Sequence, residues 1–113
     1  VYLDYSATTP VKDEVLKEML PYYTELYGNP SSLYSEGLEA KAGLDKARKQ
    51  IASLINAEER EIIFTSCGTE ADNWVLEGVA DSLKNKGKHI ITTKIEHHAV
   101  LHTCQYLEKQ GLK

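Results

Sequence analysis

Arginine is nearly missing from this 113-residue sequence: Arg48 and Arg60 stand against eleven lysines. Bidentate guanidinium clamps on anions are therefore scarce. The net charge is −4, which argues against nucleic acid as a partner, because a phosphate backbone rewards clustered Lys and Arg. Cysteine is equally sparse. Cys67 and Cys104 are too few for a disulfide framework and suit a reducing compartment, so a cytoplasmic location is expected. No apolar run approaches the roughly 20 residues that span a bilayer, and no signal-peptide pattern is present. A membrane partner is not expected. Repeats and low-complexity segments are also lacking. Met is lacking at position 1, where Val stands, and the chain stops abruptly after Gly111-Leu112-Lys113. Gly111 reads as a helix stop and Leu112 as the opening of a further strand, so a cut chain is expected.

What is there fits one domain of ordinary size, with 42% hydrophobic and 27% charged residues. Residues 1–10 read as a short extended segment with a polar turn. Residues 11–26 carry Val15, Leu16, Met19, Leu20, Tyr23 and Leu26 at helical spacing, with Pro21 placed to kink or split the helix. Gly28-Asn29-Pro30-Ser31-Ser32 reads as a turn. A long helix over 35–55 follows, with Leu44, Ala47, Ile51, Leu54 and Ile55 as its buried stripe. Residues 61–65 (EIIFT) and 89–93 (HIITT) are short, apolar and β-prone and read as buried strands. Each leads into a helix, over 69–84 and 98–110, the latter with Val100, Leu101, Cys104 and Leu107 inward. The alternation of strand and helix predicts an α/β fold with a parallel sheet, about four helices and two or three short strands. So few strands make an incomplete sheet, since parallel sheets are normally covered on both faces.

Two turns can carry chemistry. Ser66-Cys67-Gly68-Thr69 links the first strand to a helix. Helix-start N–H groups have no internal partner, and the macrodipole is positive there. Gly68 permits close backbone approach, and the Ser66 and Thr69 hydroxyls can donate. That set suits a phosphate. An ordinary cap, with Ser66 or Thr69 as N-cap and Asp72 as capping-box partner, explains the same residues. The second turn, Ile95-Glu96-His97-His98-Ala99-Val100, follows the second strand and is expected at the same carboxyl edge. A histidine there can stack on a flat ring, move protons or bind metal. His98 and His102 lie four apart on one helix face, but no third ligand stands at useful spacing, so no zinc site is expected. They read as exposed capping residues. Cys67 at a helix start admits a nucleophile reading with His97, but no oxyanion hole or orienting group marks one, and a small packed residue is the plainer reading. Trp74 and Cys104 read as packing.

Taken together, the segments resemble the N-terminal part of the NifS-like cysteine desulfurases, in the class V aminotransferase group. The residues that carry the resemblance are Tyr2-Leu3-Asp4-Tyr5-Ser6-Ala7-Thr8-Thr9-Pro10, Tyr27-Gly28-Asn29-Pro30-Ser31-Ser32, the run from Ile63 to Asn73 (IFTSCGTEADN), and Ile91-Thr92-Thr93 with Glu96-His97-His98-Ala99-Val100. Their order and spacing match, and four ordered motifs weigh far more than one turn. The resemblance covers the whole chain but about the first third of a family member.

The resemblance implies an incomplete piece of the large domain of a type I pyridoxal-phosphate-dependent transferase. Residues 1–10 would belong to the small domain or the active-site mouth, and residues 11–113 to the N-terminal part of the cofactor-binding domain. It implies pyridoxal 5′-phosphate as cofactor, with Gly68 and Thr69 on its phosphate and His97 stacked on its ring and able to move protons. Asn73 keeps the family's residue in a supporting role. L-cysteine would be the substrate, alanine and protein-bound sulfur the products, and a sulfur acceptor or scaffold protein and a homodimer mate the partners. Iron–sulfur cluster or thiocofactor assembly would be the purpose. Tyr34 departs from the pattern, standing where many relatives have His. The Schiff-base lysine, the aspartate on the pyridine nitrogen, the carboxylate-binding arginine and the sulfur-accepting cysteine lie later in relatives. Lys94 precedes the ring-stacking position and is not promoted to that lysine. The expected chain is thus inactive alone. Two alternatives stand beside it: a non-catalytic, self-associating fragment, or the same region of a selenocysteine lyase or another class V enzyme.

Overall fold

Pro21 decides how the chain begins to coil. A computed structural model describes residues 1–113. In it the helix expected over 11–26 is two helices, α1 (Asp13–Met19) and α2 (Pro21–Thr24), with proline as the first residue of the second. Proline lacks the N–H that a helix start leaves unpaired, so it begins a helix as readily as it interrupts one. Helix α3 (Ser35–Ile55) has the predicted bounds. It ends at Asn56 in the left-handed conformation, φ 55°, a shape that a short polar side chain tolerates. A 3₁₀ turn, Glu59–Glu61, follows, closed by a reciprocal box in which the Glu58 N–H donates to Glu61 Oε2 at 2.7 Å. Helices α4 (Gly68–Ser82) and α5 (His98–Lys109) complete the chain. Gly111 (φ 97°) stops α5 as predicted, and the Leu112 N–H reaches back to the Leu107 carbonyl at 3.2 Å.

The chain forms two compact units, Val1–Ile63 and Phe64–Lys113. In the first, the loop before α3 packs backbone against backbone. The Asn29 carboxamide accepts from the Ser31 N–H (2.9 Å) and the Asn29 carbonyl from the Ser32 N–H (2.9 Å). A side chain on Gly28 would collide with the Glu36 carbonyl, and one on Gly43 with the Tyr22 ring. The buried residues of α3 are Gly37, Ala40 and Ala52. Of the predicted stripe, Leu44, Ile51, Leu54 and Ile55 are exposed and Ala47 is half-buried, so α3 meets its own unit through its small residues. In the second unit, α5 buries Ala99, Thr103 and Leu107, four residues apart on one face. That face is turned from the predicted one, on which only Leu107 is buried.

The expected α/β architecture is not found: the structure is helical, with no strand and no sheet. Residues 62–65 and 89–93 belong to no helix and form no ladder. Their only exchange with another segment's backbone is the pair Lys113 N–H to Lys88 carbonyl and Ile90 N–H to Lys113 carbonyl, both 2.7 Å. These have the arrangement of a parallel contact, but nothing continues it. The physical reason is that β-propensity measures fit to a covered, paired surface. Phe64 is 45% exposed and Ile91 92% exposed, so neither segment lies on a covered sheet surface. Trp74, expected as packing, is 54% exposed. No helix is long and apolar enough to cross a membrane.

Candidate functional site

Helices α4 and α5 run side by side in the same direction. Glu77, Ala80 and Asp81 in the second half of α4 line one groove with Tyr106, Leu107 and Gln110 in the second half of α5. In their first halves, the Thr103 hydroxyl donates to Asn73 Oδ1 at 2.6 Å. Asn73 and Thr103 are each the sixth residue of their helix. At 1.5 Å per residue, each helix start lies about 8 Å along its axis from that hydrogen bond. The two turns singled out from the sequence therefore share one end of one unit. The shared sheet edge expected to unite them is absent, and parallel helices do it instead. Thr103 is buried, at 7% exposure, and was overlooked in the sequence. Its signal is the polar residue inside the Ala99–Leu107 face, opposite Asn73.

The start of α4 is open. Cys67 is its N-cap, with extended backbone and no side-chain capping bond, not Ser66 or Thr69. The predicted box with Asp72 does not form. Glu70 acts in its place: its Oε2 accepts from the Ser66 N–H (2.6 Å) and the Ser66 hydroxyl (2.7 Å). Those bonds, the hydroxyl first, hold the Glu70 carboxyl below its ordinary value. The Ser66 hydroxyl is thereby committed and is not an anion donor. Gly68 and Thr69 remain. The Thr69 side chain is exposed and hydrogen-bonded to nothing. Gly68 is outside the left-handed region, and no atom lies within 4 Å of where its Cβ would be. Neither its conformation nor its own fold demands a glycine there. Open helix-start N–H groups, a free hydroxyl and clear space at Gly68 fit a phosphate group.

The start of α5 is closed by its own histidine. His97 is the N-cap, and its Nδ1 accepts from the Ala99 N–H at 3.1 Å. In the neutral ring the proton then sits on Nε2. The cap fixes the imidazole's place while the ring stays exposed. His98 and His102 stack on each other, ring centroids 5.0 Å apart. Cys67, expected as a small packed residue, is exposed. Its thiol is lowered from its ordinary value chiefly by the Glu70 backbone N–H, then by the Ser66 hydroxyl. The second contact is the weaker, since the one hydroxyl proton goes to the Glu70 carboxylate at 2.7 Å and the sulfur is 3.8 Å away.

Comparisons with known proteins place the chain in a family. The model of the family described as aminotransferase class-V matches residues 1–113. The chain is 61% identical over its whole length to a protein named cysteine desulfurase IscS from Clostridium botulinum (strain Kyoto / Type A2). It is 58% identical, again over its whole length, to the cysteine desulfurase IscS of Methanosarcina thermophila. It spans about 28% of the length of each. Among solved structures, a NifS-like protein matches all of this chain with a TM-score of 0.94 at 48% identity, over 31% of its own length.

Proposed function

This chain belongs to the aminotransferase class-V family, and from that premise we propose that it is the N-terminal portion of a pyridoxal-phosphate-dependent cysteine desulfurase. The observation that carries the reading is the parallel pairing of α4 and α5, whose starts bring an open anion-binding turn and an anchored imidazole to one end of one unit. Identity to proteins named cysteine desulfurases supports L-cysteine as the substrate. Pyridoxal phosphate supplies an electron sink for bonds at the α-carbon of a bound amino acid. Gly68 and Thr69 hold its phosphate through backbone N–H groups and the Thr69 hydroxyl. His97 lies against its ring and holds or moves a proton at Nε2. The cap to Ala99 keeps that imidazole in position. Asn73, through Thr103, keeps the starts of α4 and α5 in register.

The whole protein releases alanine and passes sulfur to an acceptor or scaffold protein for iron–sulfur or thiocofactor assembly, works as a homodimer and resides in the cytoplasm. Residues 1–10 line the active-site mouth, and residues 11–113 belong to the cofactor-binding domain. The 113-residue chain alone neither turns over substrate nor holds the cofactor covalently. The test is alanine formation from L-cysteine by a full-length protein containing this chain, with the cofactor added. Alanine in step with transferred sulfur is expected. Turnover of L-selenocysteine with none of L-cysteine would replace this reading by a selenocysteine lyase, and cofactor bound with no action on either substrate would remove both.

A further inference from the structure

His98 and His102 are the first and fifth residues of α5 and share one helix face. Both are exposed, and no ring nitrogen of either is hydrogen-bonded within the protein, whereas Nδ1 of the neighbouring His97 is taken by the Ala99 N–H. Their ring centroids are 5.0 Å apart. Two imidazoles that ligate one ion through nitrogens at about 2 Å, with a near-tetrahedral angle between them, also hold their centroids about 5 Å apart. The helix therefore already sets the separation that chelation requires. The rings now lie 20° from parallel. Chelation turns the rings out of the stack, and rotation about χ2, a soft torsion for histidine, is open to exposed rings.

We propose that His98 and His102 form a two-imidazole clip for a divalent transition-metal ion. No group of three His, Cys, Asp or Glu residues surrounds it. His97 does not complete a triad, its ring centroid lying 6.2 Å from that of His98 at 52°. Water fills the other positions, so the clip is open and exchangeable, unlike the closed site of a structural zinc. Imidazole donors select copper, nickel and zinc over magnesium or calcium. The positive end of α5 opposes a cation in its first turn, which keeps the affinity modest. A loaded ion lies beside the His97 cap and sets positive charge next to that imidazole. The clip does not depend on the cofactor reading.

The test is zinc titration of the chelator-stripped protein by calorimetry, with diethyl pyrocarbonate modification of each histidine mapped by mass spectrometry. Zinc is expected to protect His98 and His102 together and to leave His89 reactive. His98→Gln or His102→Gln should weaken the calorimetric affinity at least about tenfold, no less than outer-shell changes do at metal sites. His89→Gln should leave it unchanged. Lack of protection of the two rings at saturating zinc overturns the clip, as does undiminished affinity in the folded double variant. Protection in the unaltered protein stands as a readout even where a variant fails to fold.

Discussion

Helices α3 and α4 both carry a glycine in their first turn, and the two answer to different demands. A Cβ on Gly37 would lie 2.6 Å from the Asn29 carbonyl oxygen and 2.7 Å from Ser32 Cβ, while a Cβ on Gly68 would meet nothing within 4 Å. The chain's own loop already fills the space beside Gly37. The space beside Gly68 is filled by no part of the chain. A glycine that its own fold does not require, at a helix start with no side-chain cap, is available for a ligand. Helix α5 is the third case: its start is sealed, and the sealing group is the ring of His97.

The severest test of this comparison lies at that sealed start. In the full-length protein His97→Ala should lower turnover by about 10²–10⁴-fold, the range of a lost acid–base group, while the cofactor phosphate stays bound at α4. The same change removes a cap, at a cost of about 1 kcal/mol. His97→Asn separates the two roles, since asparagine is a strong N-cap. Thermal melting should recover and turnover should not. Full recovery of turnover would reduce His97 to a cap.

Gly37→Ala should follow in size. Its added methyl meets backbone at sub-contact distance, and overpacking of that kind costs about 1–3 kcal/mol. Denaturant unfolding should show it. Gly68→Ala should act oppositely on stability, raising it by up to about 1 kcal/mol as a helical glycine is replaced, while cofactor affinity falls about tenfold, or 1.4 kcal/mol. Equal loss of stability in both variants would erase the distinction between a filled and an open helix start.

These differences also mark where the sequence was legible. The bounds of α3, the split at Pro21 and the stop at Gly111 were legible because each follows from local chemistry within a few residues. The strands were not, because Ile91 and Phe64 report β-preference without reporting a partner, and pairing is a property of neighbours. The stripe on α3 was misplaced for a related reason: Leu54 and Ile55 are apolar, but small residues, not large ones, permit the close approach that buries Gly37 and Ala40. At the site, the two helix starts, at Gly68-Thr69 and at His97-His98, were legible from the turns that precede them. The reach of Glu70 to Ser66, the His97 bond to Ala99 and the Thr103–Asn73 link were not, since side-chain geometry chooses among several polar neighbours of equal sequence merit.

The smallest effect tests whether the open start of α4 acts electrostatically at all. Cys67 sits there exposed, and Cys104 lies half-buried within α5. Because the Glu70 backbone N–H, and less strongly the Ser66 hydroxyl, favour the thiolate, the Cys67 thiol is lowered from its ordinary value. Alkylation of Cys67 should outpace that of Cys104, and its rate should rise with pH through a midpoint below that of an unperturbed thiol. The sign for stability follows the same shift. A lowered thiol favours the folded state above the unfolded thiol's pKa, and that contribution is lost as pH falls through the lowered value. The Glu70 carboxylate opposes the thiolate by its charge, so Glu70→Gln should move the alkylation midpoint further down, while Ser66→Ala should move it slightly up. A midpoint at the unperturbed value in the intact protein, insensitive to both changes, would mean that the α4 start exerts too little field to favour an anion.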